Sequence, residues 1–216
     1  MTIKACIFDL DGVIVDTAKY HFLAWKELAN SLDIPFDEND NEKLKGVSRM
    51  ASLDIILDIG DLHLSSEEKE ELASKKNSRY CSFLSDMTES EILPGAKEFL
   101  LNLKASGIKI ALGSASKNAP TILNHLGITD LFDVIVDGNH VTKAKPDPEV
   151  FKLGADQLGI DYSDCVVFED SIAGLEAAKR LDMHTIGIGK KNQLPLADYV
   201  FEDLSSLNYK KLCQLF

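Results

Sequence analysis

The sequence has few cysteines, no surplus of basic residues and no long apolar run, and each shortage removes a class of function. Its four cysteines, Cys6, Cys81, Cys165 and Cys213, show no CxxC spacing. Cys6 and Cys165 lie inside apolar, strand-like runs, so buried free thiols are expected rather than disulfides or metal ligands. Lysine and arginine number 23 against 35 acids, a net charge of -12. That balance argues against nucleic-acid backbones and anionic membranes as partners. A small anionic substrate stays compatible with it where local lysine, arginine or metal charge overcomes the background. No charged-then-apolar leader opens the chain and no apolar run approaches membrane length, so a reducing, cytoplasmic setting is expected. Internal repeats and low-complexity segments are also missing.

What is present is enough apolar sequence for a sizeable core, 45% of 216 residues, laid out in two different ways. Residues 15–90 read as successive amphipathic helices at His21–Ser31, Asn41–Val47, Arg49–Ile59 and Ser66–Leu84. Ser65 or Ser66 makes an N-cap ahead of Glu67, Glu68 and Glu70. After Leu93-Pro94-Gly95 the pattern alternates. Helices are predicted over 96–106, 119–126, 148–158 and 172–181, and strands over 108–112, 133–136, 165–168, 184–188 and 199–201. Such alternation builds a parallel sheet with helices on both faces. The apolar run beginning at Ala5 must join that sheet across the helical block. Segments 1–14 and 91–216 therefore read as a Rossmann-like α/β core. Residues 15–90 read as an inserted α-helical cap domain over the carboxyl edge of the sheet.

That edge collects the chemistry. In Ala5-Cys6-Ile7-Phe8-Asp9-Leu10-Asp11-Gly12-Val13 a buried strand ends in two acids, with Gly12 letting the chain turn away. Strand alternation would send Asp9 and Asp11 to the same side, at the edge where open α/β sheets carry their active sites. Two acids there suit a divalent cation, and an aspartate nucleophile with an aspartic proton donor. By themselves they would equally suit an ordinary strand-to-turn junction. Gly113-Ser114-Ala115-Ser116-Lys117-Asn118 offers hydroxyls and backbone N–H groups to a phosphate, though many plain N-cap loops look alike. Lys143-Ala144-Lys145-Pro146-Asp147-Pro148 is either a solvated charged turn or a rigid one aiming Lys145 at an anion. Phe168-Glu169-Asp170-Ser171 ends a strand in two acids. An N-cap at Asp170 or Ser171 explains one polar residue, whereas Mg²⁺ ligation explains the acid pair. Together the four loops hold the kit for phosphoryl transfer: a carboxylate nucleophile, an acid, a hydroxyl, a fixed ammonium and metal carboxylates.

Asp9-Leu10-Asp11-Gly12, Ser114, Lys145-Pro146 and Glu169-Asp170-Ser171 match, in order, the four motifs of the haloacid dehalogenase superfamily, and the chain resembles its phosphotransferases throughout. Thr17–Lys26 and Leu44–Arg49 carry the resemblance further, toward the sugar-phosphate mutases of that superfamily. The resemblance implies that Asp9 becomes an aspartyl phosphate and that Asp11 moves the proton. It implies Mg²⁺ held by the Asp9 carboxylate, the Asp11 backbone carbonyl, Glu169 and Asp170, with Ser114 and Lys145 on the transferring phosphoryl oxygens. Arg49 would grip the other phosphate, helped by Ser116, Lys117 and Asn118. Trp25, Lys45, Gly46, Val47, Ser48, Ser52 and Lys76 would surround the sugar, with His21 paired to Lys76. His63, His125, His140 and His184 match nothing functional. Met50 stands where an acid is common, and Gly113 where alanine is. The implied reaction interconverts β-D-glucose 1-phosphate and glucose 6-phosphate through glucose 1,6-bisphosphate, in a monomer. The alternative is a sugar-phosphate phosphatase of the same superfamily. A non-catalytic sugar-phosphate sensor would need a damaged motif, and none of the four is damaged.

Overall fold

The computed structural model describes residues 3–44, 47–85 and 87–216. The chain divides into two compact units, Met1–Asp16 with Thr88–Phe216, and Thr17–Met87. The larger holds a six-stranded sheet in the order β3-β2-β1-β4-β5-β6, every neighbouring pair parallel. Its strands are β1 Ala5–Phe8, β2 Lys109–Gly113, β3 Val134–Val136, β4 Cys165–Glu169, β5 His184–Ile188 and β6 Tyr199–Phe201. Burial on both faces explains why β1 and β4 are uniformly apolar up to their last residues. On one face Ala5, Ile7, Ala111 and Val167 pack with Phe151. On the other, Phe8 stacks on Phe168 at 4.5 Å and meets Phe99 edge-on at 6.0 Å. Phe8 and Phe168 are register partners, so one aromatic pair locks the two central strands just below their carboxyl ends.

The smaller unit is helical and inserted after the first strand: α1 Ala18–Ser31, α2 Glu38–Glu42, α3 Arg49–Ile59 and α4 Ser66–Leu84. Its apolar cluster includes Trp25, Leu28, Phe36, Leu53, Ile56 and Leu57. Helix α3 has the bounds the sequence predicts, and so does α4, where Ser65 accepts from the Glu68 amide and Glu68 returns the bond. The helix expected at Asn41–Val47 is instead α2. Asp37 caps it in a box with Asp40, which moves its start forward, and the chain turns at Lys43 and Leu44. Among the described residues, the core helices are α5 Ala96–Ala105, α6 Ala119–His125, α7 Glu149–Leu158, α8 Ile172–Lys179 and α9 Tyr209–Leu215. Helix α9 has no counterpart in the sequence reading. It is short, capped by Asn208, and Leu212 is its buried residue.

All four cysteines are free, with Cys6 and Cys165 buried as expected. Burial pushes the Cys165 thiol up to about 12 and raises Cys6 well above its ordinary value, which keeps both protonated and unreactive. Among the described residues no helix is long and apolar enough to cross a membrane.

Candidate active site

The carboxyl ends of β1 and β4 converge on one lysine. The Asp9 amide donates to the Phe168 carbonyl at 2.9 Å, so the ladder runs one residue past β1 and brings Asp9 level with Glu169. Lys145 Nζ donates to Asp9 Oδ1 at 2.6 Å and to Glu169 Oε2 at 2.7 Å. The ammonium is buried and stands 4.6 Å over the Phe151 ring. The second Glu169 oxygen accepts from the Ser171 hydroxyl at 2.7 Å and from the amides of Ser171 and Asp170 at 3.0 and 3.2 Å. Ser171, rather than Asp170, caps the following helix by accepting from the Gly174 amide. That assignment leaves the Asp170 carboxylate to the site.

Two glycines exist because of these carboxylates. At Gly12, where φ is +83°, a Cβ would collide with the Asp170 carboxylate. At Gly174 a Cβ would collide with that of Glu169. Gly113 faces the Phe151 ring, 2.8 Å from where a Cβ would stand.

Asp11 does not continue the strand: β1 ends at Phe8, and Asp11 bridges to Val15 inside the following turn. Strand alternation therefore does not set its direction, but its charge still reaches both Asp9 and Asp170. Burial is the main force pushing the Asp9 carboxyl up to about 8; the negative charges of Glu169 and Asp11 add to it while Lys145 opposes it. Burial also pushes Asp170 up to about 9, with Glu169 and Asp9 adding their repulsion. For Lys145 burial disfavours the charge, yet Asp9 and Glu169 outweigh it and hold the ammonium above its ordinary value. One lysine cannot balance all of these acids, so ionising Asp9 and Asp170 together calls for further positive charge. The donor set fits a hard divalent cation: oxygens of Asp9, Glu169 and Asp170 lie within 4.8 Å of one another, with no nitrogen or sulfur donor in the cluster.

Beside Asp9, the strand β2 delivers Ser114. Its amide donates to the Val136 carbonyl at 3.0 Å, and its hydroxyl accepts from the Ser116 amide at 3.1 Å. Ser116 repeats the turn by accepting from the Asn118 amide at 3.2 Å, while Lys117 is exposed. Lys145 thus bonds Asp9 and Glu169, the Asp170 carboxylate lies within 4.8 Å of those two acids, and Ser114 opens a tightly wound loop at the end of the adjoining strand.

Within the helical unit a second cluster forms. Lys76 Nζ lies 2.8 Å from His21 Nδ1, 4.5 Å over the Trp25 ring and 4.8 Å over the Tyr80 ring. Lys76 and Trp25 are each 3% exposed. Burial first, then the charges of Lys76 and Arg49, hold His21 well below its ordinary value, so it is neutral and its Nδ1 accepts from the ammonium. Ser48 caps α3, accepting from the Ala51 amide at 3.3 Å, and Arg49 opens that helix half-buried. Ser52 is buried on the next turn and Val47 is half-buried. Lys45 and Gly46 lie outside the described residues. The sequence reading missed Tyr80, whose buried ring lies 4.0 Å from that of His21. Its signal was available, since it stands four residues after Lys76 on the same helix face.

An acid at the end of the central strand, tied by a distant lysine to an acid pair on the neighbouring strand, defines the class. Residues 3–182 match the family model described as haloacid dehalogenase-like hydrolase, and the chain belongs to that family. It is 46% identical over 211 residues to the β-phosphoglucomutase of Bacillus subtilis (strain 168), a match covering 97% of this chain and 93% of that protein. It is 33% identical over 185 residues to a phosphorylated carbohydrates phosphatase of Thermotoga maritima, covering 85% and 83%. The crystal structure of a β-phosphoglucomutase from Clostridium difficile aligns with a TM-score of 0.95 at 42% identity, covering 99% of this chain and 97% of that one. The six-stranded parallel core with its inserted helical unit is the fold of this family.

Proposed function

We propose that the chain interconverts β-D-glucose 1-phosphate and glucose 6-phosphate, passing through glucose 1,6-bisphosphate and an aspartyl phosphate on Asp9. The observation that carries the reading is the buried Asp9–Lys145–Glu169 contact, supported by the match to a β-phosphoglucomutase over nearly the full length of both chains. An Asp9 oxygen attacks phosphorus in line, and the bond from phosphorus to the sugar oxygen breaks as Asp11 gives that oxygen its proton. In the other half-reaction Asp11 takes the proton from the incoming hydroxyl and the Asp9–phosphorus bond breaks. Lys145 and Ser114 hold the transferring oxygens. Mg²⁺ bound to the carboxylates of Asp9, Glu169 and Asp170 and the carbonyl of Asp11 would neutralise charge on those oxygens.

In the same reading, residues 15–90 act as a cap that shelters the acyl phosphate from water until the sugar attacks. Arg49 clasps the phosphate that is not reacting, with Ser116, Lys117 and Asn118. Trp25, Val47, Ser48, Ser52 and the His21–Lys76 pair, with Lys45 and Gly46, contact the sugar. The setting is cytoplasmic and the protein monomeric. The test is to incubate pure protein with Mg²⁺ and β-glucose 1-phosphate and to measure glucose 6-phosphate against free phosphate. Glucose 6-phosphate should dominate. Free phosphate released as fast as the isomer forms would replace the mutase with a phosphatase.

A further inference from the structure

The segment between β3 and Lys145 carries an acid that the chemistry above does not use. Asp137 directly follows β3 and is 1% exposed. Its Oδ1 accepts from the Asn139 amide at 2.7 Å and faces His140 Nδ1 at 2.8 Å, and its Oδ2 accepts from Asn139 Nδ2 at 3.2 Å. The same Asn139 Nδ2 donates to the Lys117 carbonyl at 3.1 Å. Close by, the Gly138 amide donates to the Ser116 carbonyl at 3.3 Å, and a Cβ at Gly138 would strike the Ala115 carbonyl. The two loops therefore run against each other, and the Asn139 side chain crosses between them.

Both groups facing Asn139 Nδ2 accept hydrogen bonds and cannot donate them: one is a carboxylate, the other a carbonyl. A primary amide has two hydrogens on one nitrogen and serves both. Turning the amide over would set its oxygen against two acceptors, so the buried Asp137 charge fixes which way Asn139 points. We propose that Asn139, aligned by Asp137, is a positioning residue for the 114–118 loop. It holds the Lys117 backbone so that Ser116, Lys117 and Asn118 meet the phosphate that is not being transferred. This assignment rests on the function proposed above. The Ser114 backbone has its own bond to Val136 and its hydroxyl accepts from the Ser116 amide rather than from Lys117, so the transferring phosphoryl group should depend on the clamp less than the other phosphate does.

Asn139 is exposed, so Asn139→Ala should fold. It should raise KM for β-glucose 1-phosphate about tenfold, the scale of one lost hydrogen bond, and lower kcat less. Phosphorylation of Asp9 by acetyl phosphate, which has no second phosphate, should stay near wild type. Hydrogen exchange at the amides of Ser116 and Asn118 should quicken. His140→Ala, which touches Asp137 but not the loop, should change none of these. Unchanged exchange over 116–118 in Asn139→Ala overturns the clamp, and so does an equal loss with acetyl phosphate and the sugar phosphate. If the wild type forms no glucose 6-phosphate, the proposed function fails, while the exchange comparison still decides whether Asn139 orders the loop.

Discussion

Each unit of the molecule buries a lysine, and the two are accommodated by opposite means. Lys145 sits between Asp9 and Glu169 at 2.6 and 2.7 Å, one cation among several acids. Lys76 sits against a neutral imidazole and two aromatic faces, with His21 at 2.8 Å and the Trp25 and Tyr80 rings at 4.5 and 4.8 Å. The first arrangement leaves negative charge to be met by a divalent cation and gives a carboxylate a fixed aim. The second sets the ammonium against an imidazole nitrogen and two π-faces, which favour a nearby cation. In the proposed reaction the α/β unit serves the reacting phosphorus and its metal, and the helical unit serves the uncharged and anionic parts of the sugar phosphate.

The largest expected effect lies on the acidic side. Asp9→Asn keeps the shape but not the nucleophile, and turnover should fall below roughly a hundredth of wild type while the protein stays folded. Initial rates with β-glucose 1-phosphate decide it, and a faster variant would remove the aspartyl-phosphate mechanism. Next comes a direct contrast between the lysines. Lys145→Met leaves buried Asp9 and Glu169 facing each other without a counter-charge and should cost about 3–5 kcal/mol in denaturant unfolding. Lys76→Met, which removes the cation beside His21, Trp25 and Tyr80, should cost less than that. Equal costs would erase the distinction between the two sites.

Asp170→Asn should weaken Mg²⁺ binding about tenfold or more by calorimetry, whereas Asp61→Asn, a surface change, should leave it alone. The smallest effect concerns His21. Its pKa is depressed in the folded protein, first by burial and then by Lys76 and Arg49, so its NMR resonances should not titrate as pH falls from 8 to 6. Below the ordinary value of 6.5, the unfolded chain takes up a proton there that the folded chain refuses. Stability must then decline as pH falls, by at most about 1.4 kcal/mol per pH unit from this group. Above pH 7 the contribution vanishes. Lys76→Met should lift the His21 pKa, because one of its two positive neighbours is gone.

Two helix ends that the sequence places correctly carry local chemistry. Helix α4 begins where Ser65 and Glu68 exchange bonds, and α7 stops at Gly159, which adopts a left-handed conformation. Where the local signal competed, the reading slipped. The Asp37–Asp40 box drew α2 forward from Asn41, whereas of the two caps the sequence offers at 170–171 the structure uses Ser171. Tyr80 was legible from its four-residue spacing to Lys76. The Asn139 clamp was not, because its partner Lys117 stands 22 residues away and neither residue type announces such a bond.

Side-chain alternation, turn residues and motif order belong to the chain as a string. From them follow the parallel α/β core, the inserted helices, the presence of Asp9, Ser114, Glu169 and Asp170 at the ends of strands, and Lys145 in a loop. Which atoms meet is a different matter. Lys145 reaches Asp9 across 136 positions, and only the parallel register of β1 against β4 sets Glu169 on its other side. Burial then sets the charge states, lifting Asp9 and Asp170 and suppressing His21. Local patterns act over a few residues, whereas dielectric surroundings and long-range pairing exist only once the sheet has closed around them.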